Sequence, residues 1–390
     1  MANSRCFAAL ALALILIGMR DVLTTVSAQQ NGINAVCPGT GIQPRPAAFQ
    51  PGGVILTTFD RTAIWAYEID TGRRYPLPDT APCGRNCRLS PDSRWISYYN
   101  RDTQAFNKMR LNGSQRRLII EGATDVEWWG NNTFFVWTPG HRAFAFDDGA
   151  SAPDQRRSVD VRSVSLVQPN GVWGLQSTPG GDGTTFTRTM VDVQDRTRMI
   201  GIGDDLTYYN ARAWSPDGRT LAFVAPFAAN SDAALGSEIL LIRPDENPLA
   251  PTTLTQLRSA YGAARINGLA VGELSWSPDG LQIAFWVTPL TSDDLLNESS
   301  AATLHVVDVA TGETRSYCGF STTAHTPNPP RLVWSPDSSH VAFGGGIEND
   351  DLGVLLLALN IESGIFTRLS DGIYPVFGSA DVIAWGLLPE

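Results

Sequence analysis

Trp214-Ser215-Pro216-Asp217-Gly218, Trp276-Ser277-Pro278-Asp279-Gly280 and Trp334-Ser335-Pro336-Asp337-Ser338 are three near-copies of one phrase. Each runs into a small apolar triplet: Leu221-Ala222-Phe223, Ile283-Ala284-Phe285 and Val341-Ala342-Phe343. A looser copy goes from Leu89 through Ser90-Pro91-Asp92-Ser93 to Ile96-Ser97-Tyr98. A phrase recurring over tens of residues marks a repeat architecture, in which each unit buries its apolar face only against a neighbour. Within Ser-Pro-Asp-Gly the Pro and Asp suit a type I turn, and the Gly accepts a positive φ. The flanking runs are apolar, β-branched and aromatic, so each phrase predicts a tight hairpin between two strands.

A second hairpin follows each first one. Trp65–Ile69 leads into Asp70-Thr71-Gly72, His305–Val309 into Ala310-Thr311-Gly312, and Leu355–Ile361 into Glu362-Ser363-Gly364. Met109–Leu111 precedes Asn112-Gly113, a strong hairpin signal. Two hairpins make four strands, one blade of a β-propeller. Degenerate copies stand at Trp129-Gly130-Asn131-Asn132, at Val167-Gln168-Pro169-Asn170-Gly171 and at Phe377-Gly378-Ser379 before Ile383-Ala384-Trp385. The fold expected is therefore all-β: one propeller of four-stranded antiparallel blades, seven in number. Eight result if Ala48–Gly53 supplies its own inner strand, and six if one degenerate copy is false. Gly53–Phe59, Ala63–Ile69 and Arg74–Leu77 look like three strands without a first, which Tyr374–Leu388 can supply. A blade made from both ends of the chain leaves no open sheet edge.

The Trp-Ser-Pro-Asp-Gly phrase with its Leu-Ala-Phe tail resembles the WD40-like Pro-Asp repeat of TolB-type β-propellers. The resemblance implies the fold and leaves activity open, since propellers host binding, lyase and hydrolase roles alike. TolB carries an extra α/β domain before its propeller, for which Gln29 to about Gln50 is too short, and no prolyl-oligopeptidase-type hydrolase domain is expected after it. The expected division is a signal peptide over residues 1–28, an N-terminal extension over 29–50 and the propeller over 51–390.

The formal charge of −10 argues against nucleic acid or an anionic membrane surface as main partner. Lys108 is the only lysine. Arg5, the apolar run Phe7–Met19 and the small residues Val26-Ser27-Ala28 before Gln29 read as an export signal. The run is short for a membrane span, so the chain is expected secreted or periplasmic, as a monomer without a stable membrane segment. Export gives an oxidising context, in which Cys37, Cys83, Cys87 and Cys318 allow three disulfide pairings. Cys83–Cys87 and Cys37–Cys318 are favoured because the first pair closes a local turn. A metal site is the rival reading, but the spacing is not a paired Cys-x-x-Cys and no His lies near.

No Gly-x-Ser-x-Gly elbow, His-Glu-x-x-His helix or phosphate loop occurs. His305 and His340 fall in expected strands and read as structural, His325 in a Pro-rich connector. The acidic group Glu348, Asp350 and Asp351 reads as a solvated loop. No cofactor, metal or catalytic residue is assigned. The alternation of strands sends four long connections, 226–237, 258–272, 288–301 and 319–330, to one face, with 244–251 opposite. Loops on a rigid scaffold carry recognition, which makes Arg258, Tyr261, Arg265, Asp293, Asp294, Glu298 and His325 the candidate ligand residues. The expectation is a non-catalytic scaffold that binds a protein, peptide or glycan through this face. The alternative is a propeller-type lyase or hydrolase with its site at the central channel mouth. A convergent set of His, Asp, Glu or Arg side chains at that mouth would distinguish the two.

Overall fold

The computed structural model describes residues 26–30, 32–59, 62–81, 87–140, 142–150, 158–160, 164–180, 185–195, 197–206, 211–226, 237–246, 250–267, 273–290, 300–322, 329–346, 354–373 and 382–389. They form seven sheets, each with a four-stranded antiparallel core, so the repeat builds seven blades. Blade 2 runs from inside to outside as Arg88–Leu89, Trp95–Asn100, Ala105–Arg110 and Arg117–Glu121. Blade 3 follows with Asp125–Gly130, Thr133–Thr138, Arg142–Asp147 and Ser158–Asp160, and blade 4 with Val164–Val167, Trp173–Pro179, Thr185–Asp192 and Met199–Leu206. Blade 5 comprises Arg212–Trp214, Leu221–Pro226, Ser237–Ile242 and Thr252–Thr253. Blade 7 comprises Val333–Trp334, His340–Gly346, Val354–Asn360 and Phe366–Ile373.

Blade 1 closes the ring. Its inner strand is Val382–Gly386, paired with Val54–Thr57, which continues through Trp65–Glu68 to Arg74–Pro76. One reading of the sequence is corrected here. Ile383-Ala384-Trp385 is not the triplet that follows a turn; it belongs to the inner strand itself. Trp385 thus takes the place of the repeat Trp, and the turn after it is the gap between Gly386 and Gly53.

Three short strands near the start of the chain form a strap on the outer rim. Its strands are β1 (Val26–Gln30), β2 (Ile33–Cys37) and β3 (Gln43–Pro44). β2 lies parallel to the outer strand Thr314–Thr322 of blade 6, with Ile33 opposite Thr314, and β3 lies parallel to Phe366–Ile373 of blade 7. A Cys37–Cys318 disulfide pins β2 to that outer strand. Cys87 is also disulfide-bonded; Cys83, its expected partner, lies outside the described residues. β1 pairs Val26, Ser27 and Ala28 with Cys37, Val36 and Ala35, on the near side of the expected cut before Gln29. Among the described residues no helix is long and apolar enough to cross a membrane.

The core is a ring of interfaces rather than one centre. Among the described residues, seven apolar clusters each join two successive blades, including one between blades 7 and 1. Leu56 and Ala66 of blade 1, for example, pack on Ile96 and Met109 of blade 2. The repeat tryptophans do more than fill this space. Trp214 donates its indole N–H to Leu166 O (2.9 Å), Trp276 to Ala213 O (3.1 Å) and Trp334 to Ser275 O (2.8 Å). Each therefore bonds its own inner strand to that of the preceding blade. Apolar burial holds the blades together without direction, and these bonds add the register.

The turns share one hydrogen-bond pattern. Ser277 Oγ donates to Asp279 Oδ1 (2.6 Å) and accepts from Gln282 N (2.9 Å), while Asp279 Oδ1 also accepts from Leu281 N (3.0 Å). The Ser90, Ser215 and Ser335 turns repeat it. In the worn turn of blade 4, Gln168 replaces Ser and accepts from Trp173 N with its side chain (3.2 Å). Gly280 sits at φ 73°, and Ser338 holds the equivalent place at φ 61° despite its Cβ.

Candidate functional site in the central channel

The inner strands line the channel, and blade 6 breaks the pattern there. Its inner strand comes in two pieces that both pair with Gln282–Pro289: Ala264–Ile266, with Ala264 opposite Pro289, and Ser275–Trp276, with Ser275 opposite Ala284. The first piece ends at Ile266 opposite Val287, so the chain from 267 to 274 is inserted where the partner strand advances past only Phe285 and Trp286. Asn267 ties the two pieces together. It is buried at φ 52°, its Oδ1 accepts from Trp286 N (2.9 Å), and its Nδ2 donates to Glu273 O (2.7 Å).

Glu273, held by this bond, enters a group of charges contributed by blades 2, 3, 6 and 7. It pairs with Arg331 of blade 7 at 3.1 Å and with Arg88 of blade 2 at 4.0 Å. Arg88 in turn pairs with Asp125 (3.4 Å) and Glu127 (3.3 Å) of blade 3. Two guanidiniums thus stand among three carboxylates. Beside them is a cavity of about 200 Å³, lined by Glu273, Arg331, Asn267, Trp286, Ser93 and Trp385 among others.

Glu127 is the group whose chemistry this environment changes most. Its side chain is 14% exposed. Burial pushes its carboxyl up, Arg88 pulls it down, and Asp125 and Glu273 push it up again, leaving it at about 7. Burial would lower Arg88, but Glu127, Asp125 and Glu273 outweigh that and keep the guanidinium charged. The carboxylates surround an arginine rather than a cation-sized point. Among the described residues no group of three or more His, Cys, Asp or Glu could hold a metal ion.

The loop residues expected to bind ligand fare differently. Arg258 is exposed on the short helix α1 (Leu257–Tyr261), whose start is capped by the buried Glu238 through Leu257 N and Arg258 N, both at 2.9 Å. The Tyr261 hydroxyl is committed to His305 Nε2 at 2.8 Å, while His305 Nδ1 reaches Thr303 O at 3.0 Å. With Nδ1–H donating to that carbonyl, Nε2 accepts from Tyr261. Burial pushes His305 down to about 4, so the ring is neutral and fastens α1 to blade 6. Arg265 is 1% exposed, inside the blade and beyond reach of a ligand in solvent. Asp293, Asp294, Glu298 and His325 lie outside the described residues, as do His141, Glu348, Asp350 and Asp351. His340 is a buried blade residue, bonded to Ser339 Oγ (2.7 Å) and Asn360 Nδ2 (3.2 Å).

The structure brings together Arg88, Asp125, Glu127, Glu273 and Arg331, none of which stood out in the sequence. A signal existed. Asp125, Glu273 and Arg331 each stand three residues before a Trp of an inner strand, and Glu127 and Arg88 immediately before Trp128 and Leu89. The strand polarity also sends the connections after Pro226, Pro289 and Thr322 to a common face, as expected, and the connection after Ile242 to the other; the expected connection 258–272 is corrected, because it holds most of α1 and the inner-strand piece Ala264–Ile266.

No family model matches the chain, and no curated protein matches it. Solved structures do. Puromycin hydrolase matches at TM-score 0.50 and 11% identity, over 88% of this chain and 57% of that one. The tricorn protease matches at TM-score 0.50 and 11% identity, over 86% of this chain and 34% of that one. TolB from Acinetobacter baumannii matches at TM-score 0.44 and 14% identity, over 86% of this chain and 66% of that one. The likeness to the two at TM-score 0.50 is one of fold alone. The chain spans from about a third to two thirds of the lengths of the three.

Proposed function

We propose that this propeller acts on a small polar ligand in its central channel, entered from the face where the long connections lie, as a hydrolase or lyase. The observation that carries the reading is Glu127. A carboxyl poised near 7 can give or take a proton at neutral pH, and this one lies in a channel beside a cavity, next to fixed guanidiniums. In this reading Glu127 transfers the proton, and Arg88 and Arg331 orient the ligand's oxygens and hold charge that develops on them. Asp125 and Glu273 keep the arginines in place and Glu127 protonated more of the time. The cluster's near-balance of charge suits a ligand that is itself neutral or carries one charge.

The test is a turnover screen of the full chain with lactones, esters, glycosides and uronate-containing oligosaccharides, run in parallel on Glu127→Gln. Turnover that falls at least about 100-fold in the variant, with ligand binding retained, supports a proton-transfer role. Turnover unaffected by the substitution removes Glu127 from the chemistry.

A second reading is supported by the connections that leave one face: a scaffold binding a protein, peptide or glycan there, outside the cell or in the periplasm. It predicts that no compound of the screen turns over. It also predicts that the chain captures a macromolecule, and that Arg258→Glu, which leaves the channel intact, weakens this capture.

A further inference from the structure

On the outer rim, far from the channel, the strap crosses from blade 7 to blade 1 and leaves an open groove of about 420 Å³. Arg45 follows β3, Arg74 belongs to the outer strand of blade 1 and Arg368 to the outer strand of blade 7; all three line this groove. Asp371 is the one carboxylate in the lining. Its pairing with Arg74 is loose, at 3.9 Å between side chains that are about half exposed. The groove therefore holds an excess of two positive charges on a chain whose formal net charge is −10.

Two of the guanidiniums are held in position. Arg45 donates to the carbonyl of Ile69. It also lies over the turn at Gly72, where a Cβ would stand 3.0 Å from its terminal nitrogen and where φ is 68°. Arg74 donates to the carbonyl of Asp371 at 3.1 Å, and its guanidinium stacks over the Phe59 ring at 4.7 Å. Arg368 is exposed, and its side chain has no hydrogen-bond or ion-pair partner among the described residues. Like charges gathered in one groove repel one another, which costs stability unless something answers them. Guanidinium forks match the oxygens of phosphate and sulfate and bind them in pairs of hydrogen bonds.

We propose that this groove is a binding site for a tetrahedral oxyanion, the phosphate or sulfate group of a larger ligand, held by Arg45, Arg74 and Arg368. Three donor groups from separate segments of the chain line the one groove, and a charge of two on the anion balances the groove's excess. The openness of the groove leaves room for the rest of the ligand to extend into solvent. The site is independent of the channel chemistry.

The experiment is calorimetric titration of the full chain with inorganic phosphate and with sulfate, at constant ionic strength against chloride. Arg368→Gln and Arg45→Gln are run beside it. Arg219→Gln, an exposed arginine whose side chain is 84% accessible in a Pro-Asp turn of blade 5, controls for bulk charge. The expected result is binding of phosphate or sulfate that weakens about tenfold or more in Arg368→Gln and Arg45→Gln and less than about twofold in Arg219→Gln. Asp371→Asn is expected to tighten it. Vesicles of phosphatidylcholine with and without phosphatidate, set against a soluble sugar phosphate, then distinguish a lipid headgroup from a free phosphate ester. Absence of binding up to about 10 mM anion, against typical millimolar-or-tighter site affinities, overturns the proposal. Equal losses in the groove variants and in Arg219→Gln do so as well.

Discussion

At the scale of single residues, Asp279 shows why a turn can survive when much around it drifts. One carboxylate oxygen takes both the Ser277 hydroxyl and the Leu281 amide, so the side chain replaces two hydrogen bonds that water would otherwise supply. Asp279→Ala is expected to cost about 1–2 kcal/mol, read as a lowered Tm in thermal unfolding. The same chemistry sets a pH dependence. Burial pushes Asp217 and Asp337 up, but hydrogen bonds led by Ser215 and Ser335 outweigh it and hold both below the ordinary 3.8. Their contribution is therefore present above that value and lost as pH falls through their folded range. His305 and His340, lowered by burial to about 4 from 6.5, add a loss of the same direction as pH falls from 6.5 towards 4. Glu127 runs the other way. Raised to about 7 from 4.5, it contributes stability below 4.5 that disappears as pH rises through 7. The Tm difference between Glu127→Gln and the parent chain should therefore grow in the variant's favour from about pH 5 to about pH 8, as differential scanning calorimetry would record.

At the scale of elements, what could be read in advance depended on how local each cause is. The Pro-Asp and Thr-Gly turns announce themselves because their conformations are fixed by the residues within them. Gln168 could do the work of Ser215 only because its longer side chain reaches the same amides, and the Pro169-Asn170-Gly171 that follows still revealed a turn. The strap could not be read. β2 and β3 are short, and their pairing is decided by the exposed outer edges of blades 6 and 7, far along the chain. The channel charges escaped for a related reason: inner strands as short as Arg88–Leu89 hold no period, so a charged residue in one looks like any surface charge. The break in blade 6 needed the structure too, since Ala264–Ile266 lies within what reads as the long connection 258–272. For the strap, the Cys37–Cys318 bridge closes a sequence separation of 281 residues, worth roughly 5 kcal/mol in the chain-entropy account. A Cys37→Ser, Cys318→Ser chain should keep its blades. Hydrogen exchange at the amides of Ile33–Val36 should quicken well before that of the inner strands, with a lower Tm overall.

For the whole molecule, stability is distributed around a ring in which every blade has two neighbours. Such a ring has one weak place, where the chain's two ends meet in blade 1. A chain cut after Asp381 lacks the inner strand Val382–Gly386, and with it Trp385 and Ile383 from the wall of the cavity and from the clusters that join blade 1 to blades 7 and 2. It also leaves Val54–Thr57 as an open edge, which invites pairing between molecules. Size-exclusion chromatography of the shortened chain should show aggregates or oligomers larger than the full chain forms, with a broadened, lowered thermal transition. The same closure sets a clock on synthesis. Val54–Thr57 of blade 1 is made before blades 2 to 7, and the inner strand Val382–Gly386 that completes it is made after them. The young protein is therefore an unlocked horseshoe while blades 2 to 7 are being made. The lock snaps shut only when residue 386 has come through.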